Sequence, residues 1–258
     1  MSDIRFLLKF GQRSHMENLV KGNLYCSNAQ MFWGIEDEMK IRGQGDVLEA
    51  STMIYAQSMT VYDPLTNEVL KQIDDSIRCV ARMRPAEDMP VFCLFAVLDK
   101  DCELDDDGKF RIRLSQETKD TIKTHFPNAD SVVIIDNPEN FIEDVKASIG
   151  HEIKSDLVRY FYIDKGIGTE NGKTAMDLSY WNYIGQDTLP VKGSEKGNSV
   201  LLENSAYRVL FCKDVFFRNE QEFRIVMPTE HISVGTNYPV NLTDTYKIEE
   251  LERFMSKH

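Results

Sequence analysis

The sequence predicts an α+β fold in a single domain, and three observations predict it. Short apolar runs such as Val91 to Leu98 have strand length and alternate with segments of helical length that carry their own stop and start signals. Phe110, Ile112 and Leu114 alternate with Arg111 and Arg113 behind an Asp107-Gly108 turn, the signature of a hairpin. No composition shift is clean enough to cut two domains, so residues 1–258 read as one, with a polar, glycine-rich insertion near 164–199.

Taken in order, Ile4 to Phe10 is a short apolar strand bounded by Gly11. Ser14 and Glu17 are spaced as a capping box, which predicts a short helix that Gly22 stops in a left-handed turn. Asn23 to Ser27 is the second strand. Residues 34–50 are polar and irregular, hence loop. Thr52 to Tyr62 is β-branched and aromatic, hence strand, turning at Asp63-Pro64. Val69 to Arg84 fits a helix closed by Pro85, with Arg78, Arg82 and Arg84 on one side. Strand Val91 to Leu98 leads into a hairpin loop, Asp99 to Gly108. Ser115 caps a helix to Phe126. Ser131 to Asp136 is a buried strand, and Pro138 to Ile149 a helix with proline in its first turn. Leu157 to Ile163, Tyr207 to Phe211, Val215 to Phe217 and Glu222 to Met227 read as strands, and Lys247 to Met255 as an amphipathic helix.

Composition narrows the function. Thirty basic against forty-two acidic side chains give a net charge of −12, a field that repels phosphate backbones and argues against a protein that coats nucleic acid. The longest apolar run, Val91 to Leu98, is far short of the ~20 residues that span a bilayer, so no membrane association is expected. The first residues lack a basic segment followed by an apolar one, which predicts a cytoplasmic protein. The five cysteines are scattered with no Cys-x-x-Cys pair, and the five histidines with no His-x-x-x-His pair. Reduced thiols and no metal are the expectation. No Gly-x-Ser-x-Gly elbow is present.

Several motifs imitate sites. Gly166 to Thr174 resembles a phosphate-binding loop, but Ile167 stands where the first glycine is required. Glu103 to Gly108 imitates half a calcium loop whose twelfth position is Leu114 instead of glutamate. Two segments carry more. Arg42, Asp46 and Glu49 lie on one loop and suit a ribose, a cation or a salt-bridged loop base. Glu220 and Glu222 form a Glu-x-Glu entering an apolar strand. At i and i+2 on an extended segment they share one side, where paired carboxylates stabilise a cationic, sugar-like transition state. The plainer reading is an edge strand with one glutamate paired to Arg224.

The Glu-x-Glu before a C-terminal strand resembles the acidic motif of ADP-ribosyltransferase-fold enzymes, and Phe10 to Tyr25 resembles their opening strand, short helix, glycine and second strand. The Asn18-Leu19…Gly22-Asn23-Leu24 pattern is similar to DarT-type toxins that modify nucleic acid. The ensemble resembles a group of bacterial and prophage defence proteins. The likeness covers about the first 50 residues and Tyr207 to Met227. It implies a split mixed or antiparallel sheet with peripheral helices and insertions, and NAD as substrate. Glu222 would hold the ribose hydroxyl and stabilise the oxocarbenium-like state. Glu220 would position or deprotonate the acceptor. Arg13 or His15 would contact the dinucleotide, and Tyr25 or Ser27 would support the nicotinamide ribose. Partners implied are a macromolecular acceptor, nucleic acid or protein, and a neutralising antitoxin or defence partner. A non-catalytic nucleotide- or protein-binding sensor module is the alternative. A metal-dependent nuclease built on Asp46, Glu49 and the glutamate pair is a third reading.

Overall fold

Strand β1 (Ile4–Gly11) alternates Leu7 toward one side of its sheet and Leu8 and Phe10 toward the other, as a strand buried on both faces must. It opens a computed structural model that describes residues 3–39, 46–56, 58–63, 65–75, 77–163, 167–170, 173–175, 177–186, 189–190, 199–200 and 203–258. Helix α1 (Arg13–Val20) follows. Its N-cap is Gln12 with no side-chain cap, so the capping box does not form: Ser14 and Glu17 already lie inside the helix, and Glu17 pairs with Arg13.

Gly22 ends α1 at φ +86° and passes the chain into β2 (Asn23–Cys26). A Cβ built at Gly22 would sit 2.0 Å from the carbonyl oxygen of Val240. Gly22→Ala is therefore expected to cost about 1–2 kcal/mol for the left-handed backbone and more for displacing Val240. A thermal melt checks this; an unchanged midpoint would contradict it.

The main sheet adds β3 (Val91–Leu98), β4 (Ser131–Ile135), β5 (Lys154–Leu157), β6 (Glu222–Val226) and β8 (Lys247–Glu250). Its order is β5-β6-β3-β1-β4-β8, and every neighbouring pair is antiparallel. Strand β7 (Thr236–Pro239) pairs with β2 in a second, small sheet that meets the main one through a bridge between Ser27 and Val91. Helices α2 (Ala29–Met39), α3 (Gln116–His125), α4 (Pro138–Ile149), α5 (Leu178–Ile184) and α6 (Leu251–Lys257) complete the α+β fold. Ser115 caps α3 by accepting from the Thr118 N–H, and Pro138 opens α4, as expected. Among the described residues no helix is long and apolar enough to cross a membrane.

The sheet parts in its middle. Strands β1 and β3 pair from Ile4–Leu98 to Leu8–Phe95. Beyond that point Lys9, Phe10 and Gly11 pair with β4, while Val91, Phe92 and Cys93 pair with β6. The Lys9 ammonium spans the gap to the Cys93 carbonyl at 2.6 Å and lies 4.8 Å from the Phe92 ring.

Several local expectations yield to long-range pairing. Val69 to Arg84 is not a helix. It forms strands Val69–Ile73 and Ile77–Arg82, which pair with Met59–Tyr62 and Ser51–Ala56 in a two-stranded ribbon. Cross-strand pairing decides this stretch, and Val69 and Leu70 stay exposed on their strand. Tyr207 to Phe211 and Val215 to Phe217 are not strands but parts of 3-10 turns, Glu203–Phe211 and Val215–Glu220. Ala206, Val209 and Leu210 are buried at helical spacing, a period obscured by the shortness of the run. Leu157 to Ile163 breaks at Val158, whose N–H turns to the Glu222 carbonyl. Lys247 to Met255 divides into β8 and α6 because its first residues pair with β4. In the 164–199 insertion, α5 buries Tyr180, Tyr183 and Ile184 in the core, so this part of it is packed into the domain.

Candidate active-site cleft

Two cavities occupy the place where β1 and β3 part. The larger, about 620 Å³, is lined by His15, Tyr25, Ser27 and three asparagines, Asn18, Asn23 and Asn237. The smaller, about 120 Å³, is lined by Asp46, Glu49, Glu220, Glu222, Lys213, Arg224 and His125. Lys9, Phe10, Phe32, Cys93 and Phe126 line both, so the two are neighbouring chambers of one cleft.

The small chamber is a buried ionic network. Arg224, mid-strand in β6, is 1% exposed. Its Nε and Nη2 donate to Glu222 at 2.8 and 3.0 Å, and Nη1 and Nη2 to Glu49 at 2.5 and 2.9 Å. Nη1 also donates to the Leu210 carbonyl at 2.5 Å, so all five guanidinium donors have a partner. Glu49 is held on its turn by Trp33 of α2, whose indole donates to the Glu49 carbonyl, and by Ser51. Lys213, on the short strand Cys212–Asp214, reaches Glu220 at 2.5 Å and Glu222 at 3.2 Å and lies 4.2 Å from the Phe217 ring. His125, the last residue of α3, sits with Nδ1 2.8 Å from the other oxygen of Glu220.

The Glu-x-Glu is not one extended segment. Glu220 closes a 3-10 turn, Gln221 adopts a left-handed conformation at φ 44°, and Glu222 begins β6. The Gln221 amide secures that kink by donating to Ala96 and Asp101. Both carboxylates nevertheless reach one ammonium, because Lys213 stands between them. A non-glycine residue held left-handed beside the cluster stores strain that the surrounding hydrogen bonds sustain.

Burial alone would raise the Glu222 pKa, but Arg224 and Lys213 outweigh it and hold the carboxyl well below its usual range. Burial would lower Lys213 and Arg224; Glu220 and Glu222 on the first, and Glu222 and Glu49 on the second, keep both far above their ordinary values. Asp46 differs. Burial pushes its carboxyl up to about 7, with Glu49 adding to the rise and Lys213, the Leu48 N–H and Arg224 opposing it.

Of the residues expected from the sequence, Glu220, Glu222, Asp46 and Glu49 meet in the small chamber, and His15, Tyr25 and Ser27 line the large one. Tyr25 is half exposed and lies where a Cβ on Gly235 would be 1.9 Å from its hydroxyl. Arg13 joins neither: it is exposed and bound to Glu17. Arg42 lies outside the described residues. Sequence reasoning missed Lys9, His125 and Lys213. The available signal was a lone lysine inside the apolar β1 run and another inside the compact 207–217 segment; His125 carried none.

The calcium-loop imitation resolves as a hairpin turn, and the described residues of the phosphate-loop imitation, Ile167–Glu170 and Lys173–Ala175, pair as antiparallel strands. Asp105 accepts from the N–H groups of Asp107 and Lys109 and from Arg111, which closes the hairpin. Among the described residues no group of three or more His, Cys, Asp and Glu side chains is arranged to hold a metal. The carboxylates proposed for a nuclease, apart from Asp46, are ion-paired instead with Arg224 and Lys213. Cys26, Cys93, Cys102 and Cys212 are free thiols. No protein-family model, no curated protein and no solved structure matches the chain.

Proposed function

We propose that the protein is an ADP-ribosyltransferase that consumes NAD and modifies a macromolecule, nucleic acid or protein, as a bacterial toxin or phage-defence effector. The observation that carries this reading is the split between β1 and β3. It brings the glutamate pair and the His15, Tyr25 and Ser27 group to neighbouring chambers with five lining residues in common. A split mixed or antiparallel sheet is what the resemblance to ADP-ribosyltransferase-fold enzymes implies.

The residues present suit the substrate. The larger chamber, at about 620 Å³, has room for a mononucleotide half or more, with amide and hydroxyl groups to orient it. NAD supplies a ribose that gains positive charge as its bond to nicotinamide breaks. Four carboxylates, Asp46, Glu49, Glu220 and Glu222, face three cations, Lys9, Lys213 and Arg224, across the small chamber. That leaves one surplus negative charge when Asp46 is ionised and His125 neutral. Glu222, kept anionic by its partners, presents fixed negative charge that needs no reorganisation as the cation forms. Phe10, Phe32 and Phe126 line both chambers and give them apolar wall where they adjoin.

The alternative, a nucleotide-binding module without chemistry, is favoured by one observation: both oxygens of Glu222 are already engaged by Arg224 and Lys213. Calorimetry with NAD and measurement of nicotinamide release separate the two. Binding with release supports the transferase. Binding without release, with candidate acceptors present, leaves the module, and no binding removes both.

A further inference from the structure

We infer that Asp46, and not Glu220, takes the proton from the acceptor in this cleft; the inference rests on the transferase reading above. It follows from counting hydrogen-bond capacity. Glu220 has one oxygen on His125 and the other on Lys213. Glu49 has both on Arg224, and Glu222 has both on Arg224 with Lys213 beside the second. Asp46 spends Oδ1 on the Leu48 N–H at 2.9 Å, within the turn that also carries Glu49. Its Oδ2 is buried with no partner, although the residue is only 3% exposed and lines the chamber.

A buried carboxylate oxygen without a donor costs stability until a donor reaches it or the group takes up a proton. A hydroxyl or amine of the acceptor is such a donor. As the acceptor's electron pair forms the new bond to ribose C1′, its proton passes to Asp46 Oδ2. The bond from C1′ to the nicotinamide nitrogen breaks, and its electron pair leaves with nicotinamide, neutralising the ring. A base with a pKa near the working pH is suited to this step, and burial places Asp46 at about 7. The groups that line the chamber with it are Glu49 on its own turn, Lys213, Glu220, Glu222 and Arg224 from the C-terminal segment, His125 of α3 and Lys9 of β1.

The test compares wild type with Asp46→Asn, using NAD and two nucleophiles, water and azide. Water must lose a proton and azide has none. Nicotinamide release in water is expected to fall about 10²-fold or more, azide to restore it to within about tenfold, and NAD affinity to stay within about twofold. A merely structural role gives no azide rescue.

A second readout needs no turnover. The folded pKa of Asp46 is raised above its unfolded value, so this group's stabilisation is full below about 4 and is lost as pH rises through about 7. The stability difference between wild type and Asp46→Asn should therefore change across that window, and carboxyl NMR of wild type should show Asp46 titrating there. Unchanged release in water by Asp46→Asn, or failed azide rescue with intact NAD binding, overturns the inference and leaves the transferase standing. A wild type that releases nicotinamide with neither nucleophile, nor with candidate macromolecular acceptors present, overturns both.

Discussion

Arg224→Ala is expected to destabilise the protein by about 3–5 kcal/mol, the range found when one partner of a buried ion pair is removed and the other charge is stranded. Two carboxylates depend on this guanidinium, Glu49 at 1% and Glu222 at 10% side-chain exposure, and the Leu210 carbonyl would lose its donor as well. At about 2–4 °C per kcal/mol for a domain of this size, the melting midpoint should drop by roughly 6–20 °C. Arg224→Lys keeps the charge but loses the planar fork that serves Glu49 and Glu222 together, so it should recover only part of the loss. The consequence reaches the cleft, because Arg224 ties the turn carrying Asp46 and Glu49 to β6. A midpoint within about 2 °C of wild type in Arg224→Ala would mean that water relieves the stranded charges, and the network would not be the anchor of that turn.

Glu222→Gln is expected to lower the rate of nicotinamide release about 10²–10³-fold, the loss typical of removing one preorganised electrostatic contact with a developing charge. The substitution keeps the size of the side chain but leaves Lys213 and Arg224 with less negative charge between them. The chamber then loses its surplus negative charge, and with it the field that favoured positive charge on the ribose. NAD affinity should change far less than the rate, since the residues that line the larger chamber are untouched. Folding is the confounding variable, and a melt resolves it. If release falls only in proportion to the unfolded fraction, Glu222 is a structural member of the network. If Glu220→Gln loses as much as Glu222→Gln with equal stability, the assignment of the cation-stabilising role to Glu222 alone fails.

The parts of this protein that follow from local chemistry were legible along the chain. Gly22 stops its helix, Ser115 and Pro138 open theirs, and the apolar runs of β1, β3 and β4 are strands. Each depends on contacts a few residues apart, and so on residue order. The errors lie where a remote partner decides. The ribbon strand Ile77–Arg82 exists because Ser51–Ala56 pairs with it, and no feature within 69–84 encodes that. The glutamate pair could be singled out, but not its state. Glu222 is anionic because Arg224 and Lys213 surround it, and Lys213 comes from a segment whose backbone the local pattern misassigned.

Residue order by itself therefore determined an α+β chain with a net charge of −12, a carboxylate pair entering a C-terminal strand and an N-terminal succession of strand, short helix, glycine and strand. The tertiary structure decided what those features meet. The parting of β1 from β3 joins them in one cleft, and the packing of four segments around Arg224 removes water from the charges. The physical reason is range. Hydrogen-bond caps and hydrophobic periods act within a turn or two, whereas desolvation and ion pairing are properties of whatever the fold brings within a few ångströms. That is why Asp46, which the sequence singles out only together with Arg42 and Glu49, emerges from the structure as the one carboxylate in the small chamber with an oxygen to spare.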